Sequence, residues 1–90
     1  MSETTQTEVV IYVTPICPYC VRAKALFDKL GIPYSEIDVS TSSTLRQEMV
    51  NRSGGRTTVP QIFINNQHIG GSDELYDIYQ AGNLDQYLNH

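Results

Sequence analysis

The apolar run from Glu8 to Val13 (EVVIYV) is what most constrains this chain. Valine, isoleucine and tyrosine favour a pleated strand. The near-continuous apolarity predicts burial on both faces, as in a central parallel strand. Thr14-Pro15-Ile16 breaks the run, and Pro18 to Leu30 then follows a helical period. Cys20, Ala23, Phe27 and Leu30 share one stripe with Leu26 beside it, while Arg22, Lys24 and Asp28 lie off it. Pro18 suits the first helical turn and Gly31 the stop.

The rest of the chain continues the alternation. Pro33 to Val39 reads as a second strand, and a helix is expected from Ser43 to near Arg52, ended by Ser53-Gly54-Gly55. Val59 to Ile64 reads as a third strand with proline at its start. Asn65-Asn66 is a turn pair, and Gln67 to Gly70 returns as a fourth strand, making a hairpin. A helix from Glu74 to Gln80 and a short one from Asn83 to Leu88 complete the order. The pattern β-α-β-α-β-β-α predicts an α/β fold, a four-stranded mixed sheet flanked by helices. Its first two strands should be parallel, joined by a right-handed crossover.

Ninety residues allow one small domain spanning 1–90, and residues 1–7 read as a frayed tail. No apolar run approaches the roughly 20 residues that span a bilayer, and the first residues carry no secretory signal. The net charge of −4 argues against broad nucleic-acid binding. All basic residues lie between Arg22 and Arg56, and four acids follow Thr57, so the molecule should be weakly polarised. Two cysteines three apart make no disulfide framework, and a reducing cytoplasm is the expected compartment.

Cys17-Pro18-Tyr19-Cys20 sits between a strand and a helix. Cys17 would stand just before the helix, where free N–H groups and the helix dipole favour a thiolate. Cys20, one turn on, points inward and can close a small disulfide. Cys17 is thus expected to attack and Cys20 to resolve. A zinc site would need His68 and His90 as further ligands, one in a strand and one at the end of the sequence, which is a poor set. His68 reads as a solvated strand residue without a role.

Three separated motifs, Cys17-Pro18-Tyr19-Cys20, Thr58-Val59-Pro60 and Gly70-Gly71-Ser72-Asp73, together resemble a glutaredoxin of the bacterial dithiol, glutaredoxin-three type. The resemblance runs from about Val9 to Leu88. It implies a thioredoxin-like fold and glutathione-dependent thiol–disulfide exchange, with glutathione as reductant, no metal, and a monomer serving disulfide or glutathionylated client proteins. It implies a cis peptide between Val59 and Pro60 and a glutathione-binding loop of Thr58, Val59 and Pro60, with the Val59 backbone pairing with glutathione. Gly71, Ser72 and Asp73 would hold the γ-glutamyl end, its carboxylate at the N–H groups of Ser72 and Asp73 and its ammonium at Asp73. Tyr19 would flank the sulfur, and Gln47 or its neighbour Arg46 would reach the glycyl carboxylate, with Arg56 adding positive charge. Two positions depart from the family pattern. Thr14 stands where many relatives carry lysine, and Ser72 where some carry a further cysteine. A thioredoxin-reductase-dependent relative and a dimeric iron–sulfur carrier are the rival readings. Pro18 between the thiols resembles the type that does not bind a cluster.

Overall fold

The computed structural model describes residues 7–88. Its elements are β1 (Val9–Val13), α1 (Pro18–Leu30), β2 (Ser35–Asp38), α2 (Ser43–Arg52), β3 (Gln61–Ile64), β4 (Gln67–Gly70), α3 (Ser72–Gln80) and α4 (Leu84–Leu88). The strands form one four-stranded sheet in the order β2-β1-β3-β4. β1 and β2 are parallel, with Val10 opposite Ser35, while β3 runs antiparallel to both β1 and β4. Asn65 and Asn66 both take positive φ, 52° and 67°, the backbone that a two-residue hairpin turn requires.

The side chains of β1 alternate between two cores. Val9, Ile11 and Val13 pack with Ala23, Leu26 and Phe27 of α1, Ile62 and Ile64 of β3, and Leu75 of α3. Tyr12 faces the other way, into a smaller cluster with Val39, Met49 and Phe63. Burial of the central strand on both faces, implied by its apolarity, is therefore observed. Phe27 is completely buried and lies 5.9 Å from the Tyr34 ring.

Helix α2 buries only Met49, too little apolar surface to dock a helix by itself. Leu45 and Val50 pack partly against the same cluster, and polar contacts add to it. Arg52 stacks over Phe63 at 4.3 Å from the ring centroid and donates to the Tyr12 hydroxyl at 2.6 Å. That hydroxyl in turn donates to Glu48. Burial, followed by the Glu48 contact, pushes the Tyr12 phenol above its ordinary range.

Helix α1 has the predicted bounds. Cys17 is its N-cap, Pro18 its first residue and Gly31 its left-handed stop at φ 71°. The N–H groups of Gly31 and Ile32 close the end on the carbonyls of Asp28 and Phe27. Several boundaries differ from the sequence reading, among them the start of α4, at Leu84 rather than Asn83. β1 starts at Val9 rather than Glu8, because the Glu8 backbone bonds to Asn65 instead of extending the ladder. β2 is trimmed to Ser35–Asp38, an edge strand paired only with β1. β3 begins at Gln61, because Val59-Pro60 is a cis peptide outside the ladder. α3 begins two residues early, at Ser72, for a reason given below. Leu30 is left exposed on the lip of a groove lined by Ile32, Tyr79, Leu84 and Leu88, rather than in the core. Thr7 donates to the Leu88 carbonyl at 2.6 Å, so the expected tail concerns residues 1–6, which lie outside the described residues.

Candidate active site

The β1–α1 turn sets the two sulfurs in different surroundings. Cys17 has extended backbone, φ −151°, and remains half-exposed as the helix cap. Its sulfur accepts the Cys20 N–H at 3.1 Å, so a free donor of the first turn points at it. Such a donor stabilises negative charge on that sulfur. Cys20 is 1 % exposed. Burial, and then the neighbouring Cys17, push its thiol up to about 12. Near neutral pH it is a protonated thiol. Cys17 is thus placed to attack, and Cys20 lies one helical turn away to follow.

The second wall is the loop before β3. The carbonyl oxygen of Val59 lies 3.8 Å from Cys17 Sγ. The Val59-Pro60 peptide is cis, as the resemblance implied. Arg46 donates to the Thr57 carbonyl at 3.4 Å, bringing one cation to this loop.

The third wall is the start of α3. Gly71 is its N-cap, and having no side chain it cannot cap the helix itself. Glu74 compensates, its Oε1 accepting from the Gly71 N–H at 2.7 Å. This reach back is why the helix starts at Ser72. The same carboxylate lies 3.6 Å from Arg56. The Gly71 hydrogen bond, and more weakly Arg56, hold the Glu74 carboxyl below its ordinary range. Ser72 is buried and its hydroxyl has no hydrogen-bond partner. Asp73, in the first turn, is exposed.

Tyr19, Arg56, Thr58, Val59, Pro60, Gly71, Ser72, Asp73 and Glu74 line one cleft of about 370 Å³ beside Cys17. Every residue named for the site from the sequence is here or in the cysteine turn, except Gln47 and its alternative Arg46. Gln47 lies on the outer side of α2, its amide donating to Asn51 at 3.0 Å. On an exposed helix face the nearer partner, one turn along, takes the side chain. Of the two residues considered for that position, Arg46 is the one directed to the loop. Glu74 was missed, although the Gly71-x-x-Glu74 spacing is that of a capping box. Among the described residues, no three of His, Cys, Asp and Glu are grouped as a metal site would need.

Gly70 makes a test of this corner. It has φ +122°, and a Cβ there would lie 2.9 Å from Cγ of Glu74. Gly70→Ala is expected to cost about 1–3 kcal/mol, from backbone strain and the displaced Glu74. An unchanged urea midpoint would show that Glu74 moves aside freely.

The glutaredoxin family model matches residues 9–69. Glutaredoxin 3 of Escherichia coli strain K12 is 51 % identical over 78 residues, which is 87 % of this chain and 93 % of that protein. The solution structure of a glutaredoxin from Brucella melitensis is 48 % identical with a TM-score of 0.82, covering 97 % of this chain and 94 % of that one. A buckwheat glutaredoxin–glutathione complex is 33 % identical with a TM-score of 0.81, covering 91 % and 76 %. The mixed sheet described above is accordingly a thioredoxin-like fold. With its cysteine pair at the mouth of that fold, the chain belongs to the glutaredoxin family of thiol–disulfide oxidoreductases.

Proposed function

We propose that this chain uses glutathione to reduce protein–glutathione mixed disulfides and protein disulfides through Cys17 and Cys20. The observation that carries the reading is the cleft that runs from Tyr19 and Val59, beside Cys17, to the start of α3, with Ser72, whose buried hydroxyl is unpartnered, in its lining. An orphaned polar group of that kind is costly unless a ligand or water meets it. The open N–H groups at Ser72 and Asp73 suit a carboxylate, and the Asp73 carboxylate suits an ammonium. The γ-glutamyl end of glutathione carries both groups on one carbon. The Val59 backbone, beside the cis peptide and outside the ladder, offers pairing to the cysteinyl part. Tyr19 flanks the sulfur, and Arg46 with Arg56 takes the glycyl carboxylate, the role first considered for Gln47.

The cycle begins with the Cys17 thiolate. It attacks the glutathionyl sulfur of a mixed disulfide, forming a Cys17–glutathione bond and expelling the client as a thiolate that takes up a proton. The thiolate of a second glutathione attacks the glutathionyl sulfur of that bond. Oxidised glutathione leaves, and the Cys17 thiolate is regenerated. On a protein disulfide, Cys17 attacks first and Cys20 resolves the mixed species. Two glutathiones then reduce the Cys17–Cys20 disulfide. Potentials of roughly −200 to −230 mV in this family put glutathione within reach as the reductant. The chain acts as a monomer in a reducing, glutathione-containing compartment, the cytoplasm. Among the described residues no helix is long and apolar enough to cross a membrane.

The test is turnover of a glutathione mixed disulfide coupled to NADPH oxidation through glutathione reductase, with thioredoxin reductase as a parallel arm. Turnover only in the second arm would overturn the glutathione assignment. Asp73→Asn is expected to raise the KM for the mixed disulfide about tenfold, the scale of one lost charge-assisted hydrogen bond. An unchanged KM would remove Asp73 from the site.

A further inference from the structure

Gln61 is completely buried at the start of β3. A buried amide is tolerated when its hydrogen-bonding groups are used. Here nitrogen and oxygen both are. Its nitrogen donates to the Thr58 carbonyl at 3.0 Å and to Thr58 Oγ1 at 3.3 Å. Its oxygen stands 2.7 Å from Nε2 of His68. The amide cannot be turned round, because its oxygen would then face the carbonyl oxygen of Thr58. The oxygen therefore accepts, and His68 must carry a proton on Nε2.

His68 is not the solvated strand residue that its sequence suggests. It is half-buried, and its ring lies 5.0 Å from that of Phe63, tilted by 35°. The regular hairpin register from the Asn65-Asn66 turn, with Gln67 opposite Ile64, sets it opposite Phe63, before the ladder shifts at Ile62. Burial, and then Arg56, hold its pKa below the usual histidine range, with Glu74 opposing. The neutral ring with Nε2–H is a fixed donor.

We infer that His68 and Gln61 are positioning residues for disulfide exchange: the chain of contacts from β4 through β3 to Thr58 fixes the loop whose Val59 carbonyl faces Cys17. The inference rests on the cleft being the glutathione site. It has two consequences there. The Thr58 carbonyl is anchored inward, which orients the following Val59 peptide before a substrate arrives. One acceptor site of Thr58 Oγ1 is also occupied by Gln61, leaving its hydroxyl hydrogen for an acceptor in the cleft. The cleft then offers a donor at that point, which suits a carboxylate or thiolate substrate group. A loop held this way is ordered in advance, so binding need not supply the ordering.

Two experiments test this. Nitrogen-15 NMR of the wild-type imidazole is expected to show His68 neutral at pH 7 with its proton on Nε2. A proton on Nδ1 would overturn the inference without any variant being made. In the coupled assay, His68→Leu is expected to raise the KM for the glutathione mixed disulfide about tenfold, most of the change falling in KM rather than kcat, as an unpaired buried amide loosens the loop. His68→Gln, which keeps a donor at the same reach, should return KM to within about twofold of wild type, since the lost contact is restored. A wild-type KM in His68→Leu also overturns the inference, while leaving glutathione as the reductant. Absence of glutathione-coupled turnover in the wild type overturns the underlying function instead. Should His68→Leu fail to fold, the tautomer decides.

Discussion

Replacing Cys17 with serine is expected to abolish both reactions, the loss being on the order of 10⁴-fold or more, as when other enzymes lose a covalent nucleophile. A serine hydroxyl is not ionised near neutral pH, and an alkoxide forms no disulfide. Cys20→Ser should behave differently. It keeps turnover of glutathione mixed disulfides, because that route needs only Cys17, and it loses turnover of intramolecular protein disulfides. The surroundings of Cys20 explain the order of events. Its thiol is held at about 12, mostly by burial and in part by Cys17 beside it. Once Cys17 has entered a mixed disulfide, its negative charge is gone and that part of the penalty is lifted. Cys20 becomes a better nucleophile only when there is something to resolve. The two variants, assayed on a glutathione mixed disulfide and on a disulfide-bonded protein, check the scheme. If Cys20→Ser were dead on the mixed disulfide, the one-cysteine route would be wrong.

Phe27→Ala is expected to cost about 3–5 kcal/mol. The ring has no exposure, sits where α1 meets the sheet and packs on Tyr34, so little can collapse into the space it leaves. A chain of this length has a total stability of about 5–13 kcal/mol, so the loss is a large share of it. Thermal unfolding followed by circular dichroism should show Tm lower by at least about 12 °C. A loss under about 1 kcal/mol would mean that this face is not close-packed.

The features legible in the sequence were those that local chemistry decides. Pro18 and Gly31 bracket α1 because each suits only one end of a helix. The alternation of elements gave the parallel and antiparallel pairings. The cysteine turn could be read because its chemistry depends on its place between strand and helix. What escaped depends on side chains reaching across the fold. Glu74 looked like an ordinary helix acid, yet it caps Gly71 and holds Arg56. Gln47 and Arg46 are neighbours in sequence, and only their orientations on α2 separate a residue directed at the loop from one turned along the helix. His68 reads as a solvated residue, but its place opposite Phe63 in the hairpin lays its ring on Phe63 and within reach of Gln61. The start of β3 was placed too early because Val59 has the composition of a strand, while the cis peptide takes it out of the ladder.

The two outer strands bear on a hazard that any open sheet must meet, which is templated aggregation. β2 and β4 are each four residues long. β2 presents Ser35, Glu36 and Asp38 to solvent, and β4 pairs irregularly with its neighbour. Short, charged and irregular edges are poor templates for another chain's backbone. A polypeptide that reaches the cysteine turn, at one end of the sheet, is therefore poorly placed to be recruited as a further strand at the side.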